Sequence, residues 1–178
     1  MIQFLKTKDY PVKDPSGKRG IDAGIDFYVP AYSDGFVKAF KEKNPDKEIL
    51  QEEGTGKYYI AVPGNSDVNI PSGIYSKFAP NVALIGANKS GIATKKKLIF
   101  GAHVIDTSYQ GIIHLHMINT STKEQRIYLD EKIVQFVPYI LDITPIKVFD
   151  ENETSKDVFF PTQTDRGDKG FGEGTGLQ

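Results

Sequence analysis

The chain has 178 residues and a mass of 19.8 kDa, which suffices for one domain with a hydrophobic core and is short for two. Its 22 basic and 23 acidic residues give a net charge of -1, which excludes a polycationic nucleic-acid binder, and no apolar run approaches a membrane span. The absence of cysteine excludes disulfides and thiolate metal ligands; together with an N-terminus too charged for a signal peptide, it favours a cytoplasmic protein.

Alternation of apolar and polar residues dominates the chain and predicts short β-strands. The segments that fit this pattern are residues 2–7, 26–30, 57–62, 81–88, 103–106, 112–119, 125–129 and 132–141. In the clearest of them, Ile113, Leu115 and Met117 share one face, whereas His114 and His116 lie on the other. Many short strands with few helices predict an all-β sandwich, jelly roll or barrel.

Two short helices are predicted. Phe36–Lys43 carries apolar residues at helical spacing and ends at the sequence NPD. The second helix begins after Ser90, whose hydroxyl suits an N-cap. The irregular, polar segment from about 32 to 67 is interpreted as an insertion that contains the first helix and a strand. We favour a solvated surface elaboration, with a protein-binding surface at residues 33–53 as the alternative.

The stretch NKSGIATKKK, residues 88–97, places a lysine, a hydroxyl and a glycine at the start of the second helix. Outward-pointing backbone N–H groups and the charge of Lys89 suit a phosphate. The spacing is not that of a Walker A loop, and an ordinary capped helix with solvated lysines explains the same residues.

The stretch GAHVIDTSYQG, residues 101–111, predicts a β-hairpin whose backbone groups can hydrogen-bond the edge of a base. Asp106 at its end has the chemistry of a general base acting on water. The alternative is an Asp that only forms an Asx-turn.

Three weaker signals remain in the body of the chain. Asp22 and Asp26 flank a glycine and suggest a divalent cation or a turn. His114 and His116 share a face, but no third ligand is evident, so zinc is not expected. Gln135 is a polar residue on an apolar strand and needs hydrogen-bond partners from the protein or a ligand.

The chain ends in TDRGDKGFGEGTGLQ, residues 164–178. Such a glycine-rich tail is typical of a disordered terminus, or of a flap that folds only over a ligand. In the second case Arg166 would meet an anion and Phe171 a flat group.

Taken in order, DAGIDF, NKSGIA, GAHVIDTSYQG, KIVQF and RGDKGFGEGTG resemble the five motifs of the trimeric dUTPases, the deoxyuridine triphosphate nucleotidohydrolases. The resemblance extends from about Ile21 to Gly176, outside the insertion, and is greatest to phage or bacterial members. It implies a jelly-roll-like β-barrel over residues 1–163 and a flexible C-terminal flap over 164–178. It also implies a homotrimer in which each active site is shared between subunits.

The resemblance assigns a role to each matching residue. Asp106 activates the water that attacks the α-phosphorus of dUTP, Tyr109 packs beneath the deoxyribose, and Asp26 is linked through water to Mg²⁺ held mainly by the phosphates. The backbone of the hairpin contacts uracil through His103, Val104, Ile105 and His114. The remaining substrate contacts are Lys89, Ser90, Gly91, Gln135 and Arg166 on the phosphates, Phe171 stacked on uracil, and Gly172 and Thr175 in the flap.

The sequence also departs from the family pattern. Lys89 stands where arginine is usual, which keeps the charge but loses bidentate geometry. Gln110 replaces a common arginine, and His103 a common glycine. Glu173 is added or substituted beside Thr175, where a carboxylate would repel the γ-phosphate unless it points away.

Two alternatives to dUTP hydrolysis are open. A dCTP deaminase of the same fold requires a glutamate after the hairpin, and no glutamate occurs between Glu53 and Glu124. A non-catalytic trimer that uses nucleotide as a regulatory switch would not need the water-activating acid.

Overall fold

The computed structural model describes residues 1–17, 20–162 and 164, which form mostly short β-strands. The strands are β1 (Gln3–Lys6), β2 (Ile25–Tyr28), β3 (Ile49–Gln51), β4 (Tyr58–Val62), β5 (Asp67–Pro71), β6 (Ile74–Lys77), β7 (Val82–Asn88), β8 (Leu98–Phe100), β9 (Val104–Ile105), β10 (His114–Asn119), β11 (Gln125–Tyr128) and β12 (Lys132–Ile140). The helices are α1 (Asp34–Lys43), α2 (Ser90–Lys96) and α3 (Lys156–Phe159).

The strands form four sheets in the described part of the chain. Their orders are β1-β6, β5-β10-β8, β11-β4-β3 and β2-β12-β7-β9, and every strand pair is antiparallel. Neighbours in a sheet are mostly distant in sequence, as in jelly-roll-like folds. The all-β prediction is confirmed and the jelly-roll-like architecture fits, but these sheets do not close into a barrel.

The core confirms the predicted strand faces. In β10, Ile113 just before the strand and Leu115 and Met117 within it are fully buried, whereas His114 and His116 are half-buried on the other face. Phe27, Phe100 and Phe136 meet edge-to-face in the same core, with centroids 4.8 and 5.6 Å apart. Edge-to-face contacts of this kind are favoured by the ring quadrupoles.

The first predicted helix is confirmed and begins two residues earlier than expected. Ser33 is its N-cap, and the Ser33 hydroxyl accepts a 3.2 Å hydrogen bond from the backbone N–H of Phe36. Asn44 closes the other end, where its own N–H donates to the carbonyl of Phe40. Helix α2 is also present, but the predicted N-cap is wrong: Lys89 occupies that position and Ser90 is the first helical residue.

The segment interpreted as a surface insertion is built into the core. Phe36 and Phe40 of α1 are fully buried and belong to the main hydrophobic cluster, and β4 pairs with β11. Buried Asn44 exchanges hydrogen bonds of 2.8 and 2.9 Å with the backbone of Asn69 in β5. The interpretation as a solvated elaboration is therefore wrong, because the apolar face of α1 completes the core.

By its internal contacts the chain divides into two units, Met1–Asp142 and Ile143–Gln178. In the described part of the second unit, Phe149, Phe159 and Phe160 form edge-to-face ring pairs with centroids 5.6 and 4.8 Å apart. The predicted boundary between residues 163 and 164 stays a prediction. Among the described residues, no helix has the length and apolar character needed to cross a bilayer.

Candidate active site

Four of the predicted phosphate contacts line one cavity of about 530 Å³. Lys89, Ser90 and Gly91 come from the start of α2, and Gln135 comes from β12. The same cavity is also lined by Ile92, Lys95, Lys96, Glu131 and Lys132. The structure therefore brings together residues that lie more than forty positions apart in sequence.

Strand pairing explains how this cavity forms. Strand β12 lies between β2 and β7, and Gln135 is opposite Asp26 on one side and Ala87 on the other. The amide of Gln135 donates to the carbonyl of Asn88, at 3.4 Å. A Cβ on Gly24, just before β2, would lie 2.7 Å from the Gln135 side-chain oxygen, so a larger residue there would displace the Gln135 side chain.

Asp26 binds two of the lysines that line the cavity. Its carboxylate oxygens accept hydrogen bonds from Lys89 at 2.5 Å and from Lys132 at 3.1 Å. Partial burial opposes ionisation of Asp26, but the hydrogen bonds from the two lysines outweigh it and hold its pKa below the ordinary value. Asp26, assigned to the metal, and Lys89, assigned to phosphate, are therefore direct partners.

Lys132 and its neighbour Glu131 were missed by sequence reasoning. On a regular strand, residues 132 and 135 face opposite sides, so alternation separates Lys132 from Gln135. The register between β12 and β2 shifts between Lys132 and Val134, which is a β-bulge. The adjacent apolar residues Ile133 and Val134, both fully buried, interrupt the alternation and were the signal in the sequence for this bulge.

The carboxylate of Asp106 is held through one oxygen. Its Oδ1 accepts hydrogen bonds from the N–H and hydroxyl of Ser108, at 2.9 and 2.6 Å, and from the N–H of Tyr109, at 3.1 Å. The side-chain hydrogen bond from Ser108 is the main reason that the pKa of Asp106 lies below its ordinary value. Asp106 therefore forms the Asx-turn given as the alternative, and all three of these hydrogen bonds are accepted by Oδ1.

The predicted hairpin around Asp106 is wrong in its pairing. Strand β9 pairs with β7, whereas β10 pairs with β5 and β8, so the two arms enter different sheets. Residues 106–113 form an open loop between them. Val104 is exposed, and Ile105 is buried against the core.

Tyr109 folds back over this loop. Its hydroxyl donates a 2.7 Å hydrogen bond to the carbonyl of Ile112, and its ring lies over Gly111. A Cβ on Gly111 would lie 2.6 Å from that hydroxyl, so any larger residue there would displace the Tyr109 ring. The side chain is 38% exposed and presents a flat surface at the loop.

The three histidines have other partners than a metal. The His103 ring lies 3.0 Å from the carbonyl of Gly86, and its own carbonyl accepts a hydrogen bond from that residue. His116 contacts Asp67 at 2.8 Å. Burial, with Lys43 nearby, lowers the pKa of His114, although its bond to the backbone of Ile112 opposes the shift. Across the described positions there is no group of three or more His, Cys, Asp or Glu suited to a metal ion.

The loop that carries Asp106 and the lysine-lined cavity lie at opposite ends of β7. Leu84 pairs with Ile105, which places Asp106 beside Ala83, whereas Lys89 follows the other end of the strand. Six residues of strand at ~3.3 Å each separate these positions by roughly 20 Å. The predicted flap residues Arg166, Phe171, Gly172 and Thr175 lie outside the described residues.

The fold and the site define a jelly-roll-like β-protein with a lysine-rich cavity and an aspartate held separately from it. The family model for dUTPases matches residues 55–175, and the chain belongs to the dUTPase family. Residue 55 lies within the predicted insertion, so the matched region includes strand β4.

Individual relatives agree with this assignment. The deoxyuridine 5'-triphosphate nucleotidohydrolase of Mannheimia succiniciproducens is 30% identical over 152 residues, covering 84% of this chain and 88% of the relative. The Yarrowia lipolytica enzyme of the same name is 29% identical over 62% of this chain, and the chain spans only 60% of its length. The chain spans 54% of the length of a putative deoxyuridine 5'-triphosphate nucleotidohydrolase of frog virus 3.

Solved structures support the fold. The Staphylococcus bacteriophage 80alpha dUTPase with dUpNHpp has a TM-score of 0.67 and 16% identity, and the match covers 97% of this chain and 96% of that one. The native EIAV dUTPase has a TM-score of 0.59 and 21% identity, and the match covers 85% of this chain and 98% of that one.

Proposed function

We propose that this chain is a dUTP diphosphatase, which hydrolyses dUTP to dUMP and pyrophosphate, so keeping uracil out of DNA and supplying dUMP. The observation that carries the proposal is the cavity, which collects Lys89, Ser90, Gly91 and Gln135 in a member of the dUTPase family. Neither alternative is favoured: the matching family model is the dUTPase model, and the deaminase glutamate has no counterpart between Glu53 and Glu124.

Asp106 is the general base in this proposal. Ser108 and Tyr109 hold its Oδ1, and the free orientation of Oδ2 suits a hydrogen bond to water. The water gives a proton to the carboxylate while its oxygen forms a bond to the α-phosphorus. The bond from that phosphorus to the bridging oxygen of the β-phosphate breaks, and pyrophosphate leaves with the electron pair.

The open loop and Tyr109 provide specificity. Backbone groups of His103, Val104, Ile105 and His114 are the proposed uracil contacts, supported by the divergence of the two arms into different sheets. Backbone groups that pair with the polar edge of uracil would reject cytosine, because its donors and acceptors would not match them and would remain unpaired. The Tyr109 ring, fixed through its hydroxyl, packs beneath the deoxyribose and excludes a 2′-hydroxyl.

The donor set fits a magnesium ion shared with the substrate rather than held by the protein alone. Asp26 is a hard oxygen group bound to two of the lysines that line the cavity, and the described residues include no group of three or more His, Cys, Asp or Glu that would form a complete cage. The phosphates would provide most ligands, with Asp26 linked through water. Bound in this way, Mg²⁺ supplies charge neutralisation and orients the triphosphate.

A homotrimer with shared sites is part of the proposal. The roughly 20 Å between Asp106 and Lys89 along β7 exceeds the reach of one triphosphate that must touch both. Active sites that combine the loop of one chain with the cavity of another remove this difficulty. The flap, with Arg166 on phosphate and Phe171 on uracil, then closes the site from a third chain.

The test is pyrophosphate release from dUTP, dCTP, dTTP and UTP with Mg²⁺, for the parent chain and for Asp106→Asn. We expect release from dUTP alone, reduced at least 10³-fold in the variant, on the order of what a lost general base costs. Ammonia release from dCTP would replace the proposal with a deaminase. Tight dUTP binding without turnover would favour the regulatory trimer and a partner at residues 33–53.

A further inference from the structure

The phosphate cavity compensates its own positive charge with two carboxylates. Of the four lysines that line it, Lys89 and Lys132 bind Asp26, and Lys96 binds Glu131 at 2.6 Å. A triphosphate that enters this cavity must therefore compete with internal anions for the lysine ammonium groups.

The two carboxylates hold their lysines in different ways. Lys96 also donates to the carbonyl of Arg126 at 2.9 Å, and Glu131 also accepts the N–H of Tyr128 at 3.1 Å. Tyr128 in turn donates its hydroxyl to Glu52 at 2.8 Å. Lys96 is thus braced by a network that includes the turn between β11 and β12.

Among the described residues, Lys132 has no such network of hydrogen bonds, and Asp22 acts on it only as a nearby charge. Within the described residues its ammonium group donates one hydrogen bond, to Asp26 at 3.1 Å. The Lys132 side chain is 51% exposed. The lysine end of this ion pair is exposed, whereas Asp26 is only 17% exposed, so a phosphate that takes Lys132 must offset the cost of the carboxylate left behind. The β-bulge after Lys132 directs it to the cavity, although alternation alone would place it on the face of buried Val134 and Phe136.

We propose that Lys132 is a further substrate-binding residue, which leaves Asp26 together with Lys89 and binds the phosphates when the triphosphate enters. Lys96 stays on Glu131 as a structural brace. This inference rests on the proposed function, since it assigns a second exchangeable lysine to the same cavity. Two point charges on flexible stems would then replace the bidentate arginine usual before the Ser-Gly pair.

The experiment measures binding by titration calorimetry, using the α,β-imido analogue of dUTP and dUMP as probes, with EDTA present. We expect Lys132→Ala to weaken binding of the analogue about tenfold, the loss expected for one charge-assisted bond, and to change dUMP binding less than threefold. Lys132→Arg should restore most of the affinity. Equal losses for both probes, or no loss, would overturn the proposal.

Lys13 offers a matched control. It forms an ion pair with Asp130 at the same 3.1 Å and has the same 51% exposure, but it does not line the cavity. Lys13→Ala removes the same charge and should leave both affinities within about twofold of the parent. A loss equal to that of Lys132→Ala would show a general charge effect and overturn the assignment. Thermal melting of each variant verifies folding.

Asp26→Asn tests the exchange itself. If Asp26 competes with phosphate, its neutralisation should strengthen metal-free binding of the analogue several-fold, because two lysines lose their internal anion. Weaker binding would mean that Asp26 organises the lysines for substrate, and exchange would be wrong. A parent chain that neither binds nor hydrolyses dUTP would refute the proposed function, whereas an active parent with an unaffected Lys132→Ala refutes only this inference.

Discussion

Phe40→Ala tests whether helix α1 belongs to the core or only decorates the surface. Phe40 is fully buried, packs in the main cluster and lies 6.1 Å from Phe36, centroid to centroid. Truncating such a phenylalanine removes its transfer free energy and leaves a cavity, so we expect a loss of about 3–5 kcal/mol in unfolding free energy. That is a large share of the ~5–15 kcal/mol typical of a whole domain.

The assay is urea unfolding followed by circular dichroism at one fixed protein concentration, since an oligomer's stability depends on concentration. Lys38→Ala, an exposed position on the same helix, is the control and should stay within about 0.5 kcal/mol of the parent. If Phe40→Ala falls in that same range, α1 contributes nothing to the core and the reasoning fails.

Three further predictions concern the site. The pKa of Asp106 is lowered from its ordinary value of 3.8, so the carboxylate stays ionised down to acidic pH. Activity should therefore be lost by protonation of Asp106 only below pH 3.8. Ser108→Ala removes the main hydrogen bond and should move that acidic limb to higher pH in a rate profile; an unmoved limb would remove Asp106 as its source. Gly111→Ala displaces the Tyr109 ring, so the ratio of kcat/KM for dUTP over UTP should fall at least tenfold, and an unchanged ratio would exclude the ring from sugar selection. Gly24→Ala places a Cβ 2.7 Å from the cavity glutamine and should raise KM for dUTP several-fold more than it lowers kcat, whereas the reverse split would mean that the glutamine acts on the chemical step.

Sequence reasoning succeeded where one local rule governs the outcome. Alternation in β10 requires one apolar face, and the structure buries Ile113, Leu115 and Met117 as expected. Helical spacing of Phe36 and Phe40 likewise requires one apolar stripe, and both rings are buried. Each pattern has a single period that the backbone geometry fixes.

It failed where a residue's position depends on another strand. Lys132 reaches the cavity only because a bulge in β12 changes the alternation, and a bulge is set by pairing with β2. The loop at Asp106 was predicted as a paired hairpin, but each arm finds its partner in a different sheet. Nothing within residues 101–111 encodes those partners, since they lie in β7 for one arm and in β5 and β8 for the other.

The same long-range logic explains the insertion. Its polar composition suggested a solvated segment. The burial of Phe36, Phe40 and Asn44 depends on a complementary surface formed by β5 and its neighbours. Composition averages over both faces of a helix and hides which one is buried.

The separation of Asp106 from Lys89 along β7 has a consequence for genetics. If no chain can use its own aspartate with its own cavity, two chains with different defects can repair each other. A chain with Asp106→Asn still offers an intact cavity, and one with Lys89→Ala still offers an intact aspartate. Refolding the two together should return activity that neither has alone, and a cell carrying both defective alleles would retain part of the enzyme.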